Sequence, residues 1–194
     1  MENKLRKSGF INNPFLVFHL VLMAMYSCFI DPSIDNQDCN IPVKSNISAL
    51  KKIFFGPYQN QQYADSSDTV SFADFRFNME FEFEAFSHAD REELHGVAFD
   101  CAPKYNVQNI SNIQVFLTAF FNDLPPGRDV SYLFLLPDGT QLSRFRDYSK
   151  MEQFLSLKLN FNSANKQQLN SLVIIYLKNG EQLLMRSTSP YLAN

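Results

Sequence analysis

Between Phe72 and Phe86 the chain alternates with a period of two. Phe75, Phe77, Met79, Phe81, Phe83 and Ala85 share one parity, and Arg76, Asn78, Glu80, Glu82 and Glu84 take the other. Successive side chains of a strand point to opposite faces, so this pattern predicts a half-buried strand, whereas a helix would scatter the phenylalanines around its surface. The run exceeds the usual strand length, which predicts a bend or bulge within it. Leu155, Leu157, Leu159 and Phe161 alternate with Ser156, Lys158 and Asn160 in the same way. Residues 109–121, with Ile110, Ile113, Val115, Leu117 and Ala119, and residues 97–101 read as further strands.

Two segments carry hairpin chemistry. Residues 132–136 lead into Pro137-Asp138-Gly139-Thr140 and return through 142–145; residues 172–177 lead into Lys178-Asn179-Gly180-Glu181 and return through 183–185. Asp-Gly and Asn-Gly supply the positive-φ residues of two-residue hairpin turns. Residues 147–154 have a cap in Asp147 or Ser149 and predict one or two helical turns. Residues 48–55 fit either a short helix or a strand. Seven or eight strands with one or two short helices predict a mostly-β chain, an antiparallel β-sandwich of immunoglobulin-like type, with spacing that permits Greek-key connections.

The start of the chain belongs to a different pattern. Lys4, Arg6 and Lys7 precede an apolar run from Phe15 to Met25, and Tyr26-Ser27-Cys28 follow. A basic start, a short apolar stretch and a small residue form a secretory signal. The run is shorter than the ~20 residues of a spanning helix and contains His19, which argues against an uncleaved anchor. An ordinary cleaved signal remains an alternative to a lipoprotein signal. Removing residues 1–27 leaves 167 of the 194 residues, enough for one ordinary domain. It also removes three of 17 basic and one of 20 acidic residues, leaving a net charge of −5. That balance argues against nucleic acid or anionic lipid as a charge-driven partner. Residues 28–45, rich in Asp, Asn, Pro and Ser, read as a tether, and residues 46–194 as a single domain.

Three cysteines, Cys28, Cys39 and Cys101, leave one over in an exported protein. With Cys28 otherwise engaged, Cys39 and Cys101 can pair in an oxidising compartment. The bridge would close a loop of 62 residues, which chain entropy values at about 4 kcal/mol. Two separate buried thiols are the alternative.

Catalytic signatures are missing: there is no nucleophile elbow, His-Glu-x-x-His, phosphate-gripping glycine loop or Cys-x-x-Cys. His88 and His95, with Asp90, Glu92 and Glu93 between them, are weak metal candidates if the segment folds back, and a polar connecting loop otherwise. Glu80, Glu82 and Glu84 share a strand face; at about 7 Å apart they cannot grip one ion together and read as the wet face of an edge strand. The loop of residues 122–129 holds Pro125, Pro126 and Gly127 and reads as a connector or a stiff binding loop. Trp is absent; Tyr58, Tyr63, Tyr132 and Tyr148 are the candidates for stacking on sugars. Asn46-Ile47-Ser48 and Asn109-Ile110-Ser111 match glycosylation acceptors. No cofactor is implied.

Ser27-Cys28 resembles the lipobox of bacterial lipoproteins, in which the cysteine is lipidated and becomes the first residue of the mature chain. Met25 and Tyr26 stand where that pattern carries Leu and a small residue, as in the loose lipoboxes of Bacteroidetes. Asp31, Asp35 and Asp38 resemble the acidic surface-export signals of the same group. From Cys101 onward, Cys101-Ala102-Pro103, residues 109–113, residues 121–127, residues 136–140 and the Asn179-Gly180 hairpin resemble uncharacterised Bacteroidetes lipoproteins. So does the closing Ser187-Thr188-Ser189-Pro190. The resemblance implies a β-sandwich in the cell envelope and brings no catalytic residues with it. The expectation is a non-enzymatic binding or structural module anchored in the outer membrane by lipid on Cys28, facing either the periplasm or the cell surface. The alternatives are a glycan-binding accessory lipoprotein of a polysaccharide-uptake system and a metal-dependent hydrolase built on His88 and His95. Partners would be the membrane, through the lipid, and an envelope protein or glycan.

Overall fold

A computed structural model describes residues 42–86, 102–161 and 166–193. These residues form ten strands in two sheets, a β-sandwich with two three-residue 3-10 turns, Ser131–Leu133 and Leu142–Arg144. The six-stranded sheet contains β1 (Val43–Gln59), β2 (Gln62–Ala64), β4 (Arg76–Ala85), β5 (Tyr105–Val107), β7 (Phe134–Leu135) and β8 (Phe154–Leu159). Its order is β2-β1-β4-β8-β7, with β5 paired to β1. The four-stranded sheet is β3 (Thr69–Ser71), β10 (Gln182–Ala193), β9 (Gln167–Leu177) and β6 (Ile110–Leu117), in that order. Two pairings are parallel, β1 with β5 and β10 with β3, so the sandwich is mixed rather than purely antiparallel. Because β1 opens at Val43, the last three residues of the stretch read as tether belong to the sheet.

The alternation of β4 sets the core. Phe75, Phe77, Met79 and Phe81 are fully buried, facing Ile113, Val115, Val173 and Ile175 of the other sheet in one cluster. The Phe77 ring meets Phe55 at 5.6 Å and Phe134 at 5.1 Å. Each buried phenylalanine contributes about 1.5–3 kcal/mol of transfer free energy.

The irregularity expected within β4 lies on its neighbour. Ile47 faces Phe83, but Ala49 faces Glu82; Leu50 faces Phe81, but Lys52 faces Glu80. Ser48 and Lys51 are therefore each one residue extra in β1, two bulges against a regular partner. Each reverses the inward parity: Ser45 and Ile47 are buried, then Leu50, then Phe55. That spacing imitates a helical period, which explains why residues 48–55 fitted helix and strand equally well.

Asn109 ties the start of β6 to β1. Its Oδ1 accepts the Ile47 N–H at 2.9 Å and its side-chain amide donates to the Ile47 carbonyl at 2.9 Å. The pair prolongs the parallel β1–β5 ladder by one rung made from a side chain. The amide read as a glycosylation acceptor is engaged in the fold.

Three local expectations are corrected. Both hairpin turns have three-residue loops: Gly139 and Gly180 sit at φ 85° and 89°, while Asp138 and Asn179 keep negative φ. Each of those side chains accepts a backbone N–H two residues on, Thr140 and Glu181, and so holds the preceding turn. After Thr140 the chain returns as a 3-10 turn, since its inward residues Leu142 and Phe145 lie three apart. Residues 147–154 are not helical: they turn at Ser149-Lys150, held by Asp147, and then run on into β8. There Tyr105 and Met151 exchange backbone hydrogen bonds at 2.7 and 2.9 Å, and Tyr148 accepts the Val107 N–H.

Candidate functional site

The outer face of the six-stranded sheet carries the most distinctive surface. Residues of β4 opposite its core parity point outward, and Phe54, paired with Asn78, joins them. Phe154, opposite Glu80, points the same way from β8. Tyr63 on β2 pairs with Tyr58 on β1. The four rings form a continuous row, with centroids 4.8 Å apart from Tyr58 to Tyr63, 4.4 Å from Tyr63 to Phe54 and 6.1 Å from Phe54 to Phe154. Tyr58, Tyr63 and Phe154 keep 59, 44 and 50 % of their surfaces exposed. The rings are tilted, with interplanar angles of 58°, 55° and 81°. The Lys52 ammonium stands 5.7 Å from the Phe54 centroid, a cation–π contact.

The row joins two depressions. Tyr63 lines one of about 220 Å³, whose other walls include Gln59, Gln62, Asp68 and Asp74. Phe154 lines the other, of about 600 Å³, with Arg144, Arg146, Lys150, Asp138, Asp147 and Glu152 around it. The larger one holds three cations and three anions, and the smaller one two carboxylates. Ser149 donates to Asp147 through its hydroxyl and backbone N–H, holding that carboxyl below its ordinary 3.8.

Of the four tyrosines singled out for stacking, the fold brings Tyr58 and Tyr63 together and separates the other two. Tyr148 is buried; its hydroxyl donates to the Phe145 carbonyl at 3.3 Å, and burial pushes its pKa up. Tyr132 lies on the 3-10 turn Ser131–Leu133, 38 % exposed and outside the row. Phe54 and Phe154 complete the row, and neither is among the residues that the sequence singled out for stacking. Parity would have separated Phe154, which shares the even positions of Ser156 and Lys158.

The glutamate face is also revised. From Arg76 to Glu80, β4 is a central strand, flanked by β1 and β8. Glu80 is half-buried opposite Lys52, and only Glu82 and Glu84 are exposed, beyond the end of β8. The proline loop serves the fold: Leu117 donates to the Arg128 carbonyl, and Gly127 and Val130 donate to Leu117 and Val115, covering the edge of β6. Asp129 accepts from Ser131 and Gln114 within it.

Cys28, Cys39, Cys101, His88 and His95 lie outside the described residues, as do the signal segment and the strand expected over 97–101. Among the described residues no group of His, Cys, Asp and Glu is arranged to hold a metal, and no helix is long and apolar enough to cross a membrane. Comparison of the chain with known protein families, with curated proteins and with solved structures finds no match to any of them.

Proposed function

We propose that the chain is an exported, non-enzymatic binding module of the cell envelope, anchored by lipid on Cys28 and acting through the outer face of its six-stranded sheet. The observation that carries the binding role is the row of Tyr58, Tyr63, Phe54 and Phe154 between two depressions. Aromatic side chains left in the open on a sheet face mark interaction surfaces, since elsewhere the same residue types go to the core. The anchor rests on the sequence: basic residues, an apolar run and Ser27-Cys28. Two or more acyl chains, at about 0.8 kcal/mol per buried methylene, hold a protein on a membrane stably.

The test has two arms. Labelled palmitate should enter the wild-type chain and not Cys28→Ser, which should be released from membranes or left unprocessed; a fully processed, membrane-retained C28S chain overturns the anchor. Capture from native envelopes with the anchor retained should enrich molecules that a Phe54→Ser, Tyr63→Ser double variant does not. An identical set from both overturns the binding face.

A further inference from the structure

Resting on the binding-module reading, we propose that the ligand is a soluble, neutral polysaccharide chain lying along the aromatic row. Three features point to this chemistry. The row runs between two depressions, with Tyr63 in the wall of one and Phe154 in the wall of the other, which suits an extended polymer over a compact ligand. Sugar rings present apolar C–H faces and a rim of hydroxyls. Exposed aromatic faces match the first; the Gln59 and Gln62 side chains and the charged groups of the depressions match the second.

Charge narrows the class. Asp68 and Asp74 at one end oppose an anionic chain. At the other end Arg144, Arg146 and Lys150 are offset by Asp138, Asp147 and Glu152, so neither sign is selected. Ring geometry narrows it further. Interplanar angles of 55–81° between neighbours prevent the rings from lying flush on a flat crystalline surface. Rings tilted against one another suit a chain that turns about its own axis.

The experiment is affinity electrophoresis of the mature lipoprotein in detergent, through native gels containing soluble starch, a soluble β-glucan, xylan, mannan or polygalacturonate. Depletion by microcrystalline cellulose is measured alongside. At least one neutral polysaccharide should retard the protein, and cellulose should not deplete it. Phe54→Ala and Tyr63→Ala should each weaken the association by about tenfold or more, the scale on which stacking rings act, with unchanged circular dichroism and melting. No retardation by any neutral polysaccharide, retardation by polygalacturonate alone, depletion by cellulose that depends on the row, or binding unchanged in both variants would each overturn the proposal. If no glycan binds while the envelope capture still loses a protein partner in the double variant, the glycan falls and the binding face stands.

Discussion

Replacing Asn109 by Ala removes a rung of the β1–β5 side of the sheet without opening a large cavity. The side chain makes two hydrogen bonds of 2.9 Å to the backbone of Ile47. A net hydrogen bond contributes about 1 kcal/mol, and a sequestered peptide group left without a partner costs about 1–3 kcal/mol. The site is only half-buried, so water can reach one of the two orphaned groups, and the expected loss is about 2–3 kcal/mol. Against a typical total of about 5–15 kcal/mol that is large. With a urea slope of about 1–3 kcal/mol/M, the midpoint should fall by about 1 M at an unchanged slope. Asn160→Ala, at an exposed position, is the control and should shift the midpoint by much less. Asn109→Asp refines the test. At neutral pH its carboxylate can keep the Ile47 N–H but faces the Ile47 carbonyl with no proton to donate. The variant should be destabilised at neutral pH and recover as acid restores a donor. A loss for N109A below about 0.5 kcal/mol, or one equal to the control, would refute the rung.

Phe77→Ala, fully buried against Phe55 and Phe134, should cost about 3–5 kcal/mol in urea unfolding, whereas Phe154→Ala on the open face should stay within about 0.5 kcal/mol; similar losses would place Phe154 in the core. Asp147 is held below its ordinary 3.8 by Ser149, so its contribution is present above the unfolded value and is lost as pH falls through the lower folded value. Asp147→Asn keeps an acceptor and loses the proton, and its acid unfolding curve should be flatter below about pH 4 than that of the wild type.

Much of the architecture could be read from the chain where one physical demand acted alone. Phe75 to Phe81 alternate because one face of β4 meets the opposing sheet and nothing competes with that requirement. Asp138-Gly139 and Asn179-Gly180 marked both turns correctly. The loop type was not legible, because it depends on the Asp138 and Asn179 side chains accepting a backbone N–H, which leaves positive φ to the glycine alone. Residues 147–154 looked helical by capping, yet pairing of Tyr148 and Met151 with β5, on either side of the turn at Ser149-Lys150, keeps the helix from forming. The binding face was half legible. Tyr58 and Tyr63 declared themselves by residue type, while Phe54 was hidden between Ile53 and Phe55 on a strand whose parity changes twice.

Those changes of parity have an evolutionary consequence. Because Ser48 and Lys51 each add one residue to β1 against β4, their offsets accumulate along the strand. A lineage that lost Ser48 would pass from Ile47 straight to Ala49, restoring regular alternation with Leu50 still inward and every later pairing kept. Loss of Lys51 would do the same between Leu50 and Lys52. Loss of a paired residue such as Ile53 would instead slide the rest of β1 by one position, so that Phe54 entered the core while Phe55 went to solvent. Single-codon deletions should therefore be tolerated at the two supernumerary residues and purged at their paired neighbours.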